Sequence, residues 1–185
     1  MSEKKGAGER SLRVKVKTAR KRTPSQNRWL ERQLNDPYVA RAKREGWRSR
    51  AAFKLIEIDE KYKILKAGQR VVDLGAAPGG WSQVAAKKVG SVQGRGRVVG
   101  IDLLPIETLP GATFIEQDFL DEDAPGKLLD LLGGPADVVL SDMAANTTGH
   151  RKTDHLRIMH LAEVAAAFAR EILAPGGTYL AKVFQ

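Results

Sequence analysis

The 185-residue sequence contains no cysteine. That excludes a disulfide framework, a thiolate-ligated zinc or iron–sulfur site and a thiol nucleophile. Histidine is nearly absent too: there are three, His150, His155 and His160, grouped around one helix start without metal-site spacing, so no metal is expected. No apolar run approaches the roughly 18 residues of a transmembrane helix, and the opening Met-Ser-Glu-Lys-Lys has no apolar signal core. A soluble, cytoplasmic monomer without a membrane partner is expected. The length suits one globular domain with a real core.

What the chain has in excess is positive charge, a net +9, and it is unevenly spread. Residues 1–28 hold ten Lys/Arg and two acids, net +8; residues 29–66 hold ten and six, net +4; residues 67–185 hold eleven and fourteen, net −3. The reading is a flexible basic arm over 1–28, with few large apolar residues and no amphipathic period, followed by a folded domain over 29–185. Trp29–Leu34 reads as a short helix, and Asp36-Pro37 as a turn or helix start. Arg41, Lys43, Arg44, Arg48 and Arg50 are interleaved with Tyr38 and Trp47. Rings on which bases stack, beside cations that meet phosphates, suit RNA, and these five are the candidate RNA contacts. A merely solvated helix face is the plainer alternative.

From Arg48 to about Lys61 the spacing of Ala51, Ala52, Leu55 and Ile56 predicts a helix capped by Ser49. Beyond it, β-rich runs at Arg70–Leu74, Arg97–Ile101, Thr113–Glu116, Asp137–Leu140 and Thr178–Val183 alternate with helical runs at Trp81–Lys88, Ala124–Leu132 and Asp154–Leu173, the last ended by Pro175-Gly176-Gly177. Such alternation argues an α/β fold, a mainly parallel sheet with helices on both faces.

Val71 to Trp81, VVDLGAAPGGW, ends the first strand and opens a helix, which in a doubly wound sheet is where ligands bind. Gly75, Gly79 and Gly80 allow a tight turn and a close backbone approach. The loop is neither G-x-G-x-x-G nor a P-loop, and Asp73 precedes it, so a ligand with positive charge near the loop fits better than a phosphate. Asp102 at the end of the second strand is placed for ribose hydroxyls, and Asp118 after the third for an adenine amino group. The set points to an adenosine with a cationic tail, S-adenosylmethionine. Asp142 ends the fourth strand. Lys182, on a fifth strand expected to be buried on both faces, is costly there unless paired or used, and Asp142 is its natural partner.

Together, SRAAFKL from Ser49, VDLGAAPGGWSQ from Val72, DLLP from Asp102, SDM from Ser141 and KVFQ from Lys182 resemble the FtsJ/RrmJ (RlmE-type) ribosomal RNA ribose 2′-O-methyltransferases, collinearly from about Asn35 onward. The resemblance implies a Rossmann-like class I methyltransferase fold and S-adenosylmethionine as cofactor, contacted by Gly79, Trp81, Asp102, Asp118 and Asp142. It implies that Lys54, Asp142 and Lys182 match three members of a Lys-Asp-Lys-Glu catalytic tetrad, with Lys182 nearest the reacting hydroxyl. The implied substrate is a uridine of 23S rRNA within the large ribosomal subunit.

Two departures stand out. Ala145 occupies a position where the family often has proline. The tetrad's glutamate would fall on a later strand than any in this chain, which is expected to be a fragment lacking the family's last strands. The other readings are a 2′-O-methyltransferase of tRNA or of the mRNA cap, a non-catalytic RNA-binding assembly factor on the same fold, and a nicotinamide oxidoreductase, against which the absent G-x-G-x-x-G speaks.

Overall fold

The structure, a computed structural model, describes residues 23–144 and 148–183; most of the expected basic arm, Ala145, and the last two residues of the KVFQ motif lie outside them. Two helices come first, α1 (Pro24–Leu34) and α2 (Pro37–Glu45), then α3 (Ala51–Tyr62). The α/β body follows as β1 (Arg70–Leu74), α4 (Gly80–Val89), β2 (Arg97–Asp102), β3 (Thr113–Glu116), α5 (Ala124–Leu132), β4 (Ala136–Ser141), α6 (Arg151–Ile172) and β5 (Leu173–Ala181). All neighbouring strands pair in parallel, in the order β3-β2-β1-β4-β5.

Period-two burial along the central strands divides the core into two halves. Val71, Val98, Val138 and Leu140 face α3 and α4, packing against Ala52, Leu55, Trp81, Val84 and Val89. Val72, Leu74, Val99, Ile101 and Val139 face α5 and α6, packing against Leu128, Leu132, Ala165, Phe168 and Ile172. A strand buried on both faces has no polar side to show, which is why β1 and β4 read as nearly unbroken apolar runs. The chain winds outward in one direction through β1, β2 and β3 and in the other through β4 and β5. The winding therefore reverses between β1 and β4, opening the crevice where such sheets take ligands.

The N-terminal helices are tied down by local signals. Asp36 accepts the Tyr38 amide at 2.8 Å and caps α2, whose Pro37 needs no hydrogen-bond partner for its nitrogen. Gly46, left-handed at φ 73°, ends it. Helix α1 starts at Pro24 and runs across residue 28, so it takes in the last five residues of the expected arm.

Three local expectations are corrected. Arg50, not Ser49, is the first cap position of α3, without a side-chain cap bond; the Ser49 hydroxyl instead points at Gly80. Helix α6 stops at Ile172, and β5 begins directly at Leu173, five residues before the predicted start, because the Pro175–Gly177 stretch is absorbed in an irregularity of the β4–β5 ladder. Finally, β5 is an edge of the described sheet, so Lys182 is half-buried just past the strand rather than enclosed on both faces.

Candidate active site

A cavity of about 720 Å³ opens at the carboxyl ends of β1 and β4. Its floor is the loop Gly75–Trp81, one wall is Leu104 and Pro105 after β2, another is Asp142 after β4, and the roof is Val39, Lys43 and the α2–α3 linker. Backbone geometry explains the glycines. Gly75 lies at φ +73°, and a Cβ there would strike the Met143 side chain. A Cβ at Gly80 would strike the Ser49 hydroxyl, so the helix entry and the linker approach more closely than any larger residue permits. Gly80→Ala is accordingly expected to destabilise the fold by about 1–3 kcal/mol in urea unfolding. Adding Ser49→Gly, which vacates the contested space, should recover most of that loss.

Asp73 is the buried centre of the site. It is fully enclosed, and the Ser82 hydroxyl donates to Oδ2 at 2.6 Å. Loss of hydration pushes its carboxyl up to about 7; the Ser82 hydroxyl opposes this, and the nearby carboxylates of Asp142 and Asp102 add to it. Its Oδ1 has no hydrogen-bond partner, nor does the buried Ser49 hydroxyl. Both residues border the cavity. Buried polar atoms left unpaired are costly, and two at one cavity fit a ligand that supplies what they lack: positive charge for the carboxylate and a polar group for the hydroxyl.

Asp102 works on the walls. Its carboxylate accepts the Ala77 amide and the Leu104 amide, each at 2.9 Å, joining the loop after β1 to the loop after β2. Asp118 accepts the Leu120 amide at 3.0 Å in its own turn and lies outside the cavity lining. The Trp81 indole nitrogen donates to the Ala51 carbonyl at 2.9 Å, so this residue holds α3 against α4 while its ring borders the cavity.

Asp142, on the cavity wall, is met by Lys182, which itself lies outside the lining. Lys182 Nζ is ion-paired with Asp142 Oδ1 and also donates to the Asp142 carbonyl at 3.3 Å. The Lys182 amide bonds the Ser141 carbonyl at 2.9 Å, extending the ladder one residue past β5 and fixing the lysine beside the end of β4. Both side chains keep partial exposure, 31% and 19%, so a substrate can reach them. Lys54 is not part of this pair. It stands exposed on α3 and outside the cavity lining, one turn beyond Ala51, which does border the cavity.

The five candidate RNA contacts divide. Lys43 and Arg44 are exposed on α2. Arg41 is held by Glu45 at 2.7 Å and lies 4.4 Å over the Phe53 ring. Arg50 is ion-paired with Asp36. Arg48 turns inward, its guanidinium bonded to the Glu107 carbonyl at 2.6 Å, the Thr108 carbonyl at 2.5 Å and the Pro78 carbonyl at 3.4 Å. These bonds turn part of the guanidinium toward the protein's own backbone, so Arg48 has a structural role whether or not it also meets RNA. Sequence reasoning also missed Ser82 and Gln83, which follow the glycine–tryptophan block directly; a polar pair in the first turn of a helix under a ligand loop was the available signal. Among the described residues no cluster of His, Asp and Glu could hold a metal ion, and no helix is long and apolar enough to cross a membrane.

Comparison with known proteins gives a consistent picture. The FtsJ-like methyltransferase family model matches residues 47–185. Ribosomal RNA large subunit methyltransferase E of Xanthobacter autotrophicus is 67% identical over 181 residues, 98% of this chain and 71% of the relative. The protein of the same name from Nitrobacter hamburgensis is 68% identical over 174 residues, 94% of this chain and 76% of the relative. In three dimensions the chain is similar to a Plasmodium falciparum protein assigned as a ribosomal RNA methyltransferase, with a TM-score of 0.69, 32% identity and coverage of 75% of this chain and 79% of that one.

Proposed function

The chain belongs to the FtsJ-like methyltransferase family, and from that premise we propose that it transfers a methyl group from S-adenosylmethionine to a ribose 2′-hydroxyl of 23S rRNA, at a uridine of the large ribosomal subunit. The observation that carries the reaction to particular atoms is the Lys182–Asp142 pair, in which Asp142 borders the glycine-floored cavity and Lys182 stands behind it, outside the lining. The fit of the cofactor rests on the unpaired Asp73 Oδ1 and Ser49 hydroxyl, on the glycine cradle, and on the negative balance of residues 67–185. Asp73, Gly75, Gly80 and Trp81 would hold the cofactor along the loop, with Asp142 on one wall; Asp102, outside the lining, joins the loops that form it, Gly79 shapes the turn and Asp118 braces the next one. Once bound there, S-adenosylmethionine supplies an electrophilic methyl group on a positively charged sulfur.

The chain's own residues then have two tasks. The first is to place the 2′-oxygen in line with that methyl, a positional problem in which orientation contributes much of the rate. The second is to manage the proton that the hydroxyl loses as it gains carbon. Lys182, held by Asp142 at fixed geometry, orients the hydroxyl and stabilises the charge developing on its oxygen. Lys54, exposed on α3 one turn beyond the cavity-lining Ala51, is the third member of this catalytic set and would act once the RNA strand is in place. Lys43, at the roof, and Arg44 are exposed and would meet phosphates, as would the basic stretch 1–28. Such a substrate places the reaction in the cytoplasm.

The test is methyl transfer from tritiated S-adenosylmethionine, by the complete protein, to large ribosomal subunits lacking the modification. Label should appear in 23S rRNA, and a 2′-O-methyl group makes its phosphodiester bond resistant to alkali, so the label should be recovered in an alkali-stable dinucleotide. Label in tRNA instead, or label that alkali releases as mononucleotide, would overturn the reading.

A further inference from the structure

We propose that Arg48 is a positioning residue for the cofactor cavity, stapling the loop after β1 to the loop after β2 so that both walls are set before the ligand arrives. The proposal rests on the reading that this cavity takes S-adenosylmethionine.

The two walls come from different strands. The loop after β1 contributes Ala76, Ala77 and Pro78, and the loop after β2 contributes Leu104 and Pro105. Asp102 joins them from one side by accepting the amides of Ala77 and Leu104. Arg48 joins them from the other by donating to the carbonyls of Pro78, Glu107 and Thr108. A carboxylate gathering amides and a guanidinium gathering carbonyls thus bracket the same pair of loops. A planar fork holds its donors in fixed directions toward carbonyls in two loops, whereas an ammonium on a flexible stem fixes none of them.

Arg48 is itself held. Its backbone amide donates to Gln83 Oε1 at 2.9 Å, and Gln83 Nε2 donates to the Gly46 carbonyl at 2.8 Å, so the side chain of one α4 residue grips the linker at its start and its middle. The arginine lies flat on the ligand loop at Gly79, where a Cβ would come within 3.0 Å of Nη1 and 3.1 Å of Cδ. Gly79 is at φ +100°, so this glycine serves both the turn and the arginine lying over it.

Loss of the staple leaves the loops to be ordered by the ligand, which lowers affinity. Hydrogen bonds from charged donors contribute on the order of 1.5–3 kcal/mol, so Arg48→Ala should weaken cofactor binding by roughly 10- to 100-fold. Charge separates this from an electrostatic role. Removing a cation near the site would by itself favour the cationic S-adenosylmethionine over its neutral product S-adenosylhomocysteine. A lost staple instead weakens both by the same factor.

The experiment is calorimetric titration of the unsubstituted chain, Arg48→Ala, Arg48→Lys and the double variant Lys43→Ala/Arg44→Ala with each of the two ligands, alongside the salt dependence of binding to a single-stranded RNA. The expected result is equal weakening of both ligands in Arg48→Ala, no recovery in Arg48→Lys, and an RNA salt slope altered only in the double variant. Unchanged ligand affinity in Arg48→Ala, or a reduced RNA salt slope in it, overturns the proposal. If Arg48→Ala fails to fold, as judged by circular dichroism, Arg48→Lys decides, and unimpaired ligand binding there is the negative result. Failure of the unsubstituted chain to bind either ligand would instead sink the cofactor reading on which the proposal stands.

Discussion

Lys182→Ala is expected to slow methyl transfer to large ribosomal subunits by roughly 10²- to 10⁴-fold, the span usually lost with a positioned proton-handling group, while cofactor affinity stays within a factor of about three. The two outcomes separate because of where the lysine stands. It pairs with Asp142 from outside the cavity lining, whereas the walls and floor that would grip a cofactor are set by Asp73, Asp102 and the Gly75–Trp81 loop. Truncation leaves the Asp142 carboxylate without this cation beside a site that takes a positively charged ligand, which if anything favours that ligand. Lys182→Arg sharpens the test. Arginine keeps the charge and can pair with Asp142, yet cannot give up its proton in a protein. A rate that survives in the arginine variant shows that charge and orientation suffice; a rate lost in both shows that the proton must be taken. Single-turnover transfer of tritium with saturating cofactor measures both, and an unimpaired rate in Lys182→Ala would remove this residue from the chemistry.

The parts of the fold written in local periodicity were legible in the sequence, and those settled by distant partners were not. The limits of β1 and α5 coincide with the predicted runs, Arg70–Leu74 and Ala124–Leu132, because a doubly buried strand is apolar apart from a residue such as Asp73 and Gly133 stops the helix in a left-handed conformation. The turn after β1 was legible because its glycines announce it whatever surrounds it. Arg48 shows the limit. In the sequence it is one more arginine in a basic, aromatic-spaced segment, suited to RNA. Its true acceptors, the carbonyls of Glu107 and Thr108, lie 59 and 60 positions away, and backbone carbonyls leave no residue type to recognise. Ser49 was misread likewise, since a serine before a helix is ordinarily its cap, whereas here the close approach of Gly80 claims it. Lys182 was correctly matched to Asp142, but its burial was overstated, because an apolar run does not show which strand lies at a sheet's edge.

Cofactor affinity should rise by about tenfold for each pH step of one from roughly pH 5.5 to pH 7 and then level off, with about one proton released per molecule bound in the lower range. The group responsible is Asp73, whose carboxyl burial holds at about 7. Ser82 donates to it from α4, Asp102 and Asp142 face it from the ends of β2 and β4, and Lys182 offsets the charge of Asp142. Below about 7 the ligand-free carboxyl carries a proton; a cationic ligand favours the ionised form, so binding must expel that proton, and affinity falls as pH falls. Folding obeys the opposite sign. An unfolded aspartate ionises near 3.8, so between about pH 4 and about pH 7 the folded state alone keeps the proton, and the stability from this residue declines as pH rises through that window. The ligand-free protein is therefore expected to gain stability from Asp73 on mild acidification, just where it loses its ligand. Asp73→Asn removes both dependences: urea midpoints and titration affinities should flatten with pH, with affinity at pH 8 weakened because no carboxylate remains to meet the cation. Titration in two buffers of different ionisation enthalpy counts the proton directly. A count near zero at about pH 6, or a pH profile unchanged by Asp73→Asn, would show that the unpaired oxygen of Asp73 meets something other than positive charge.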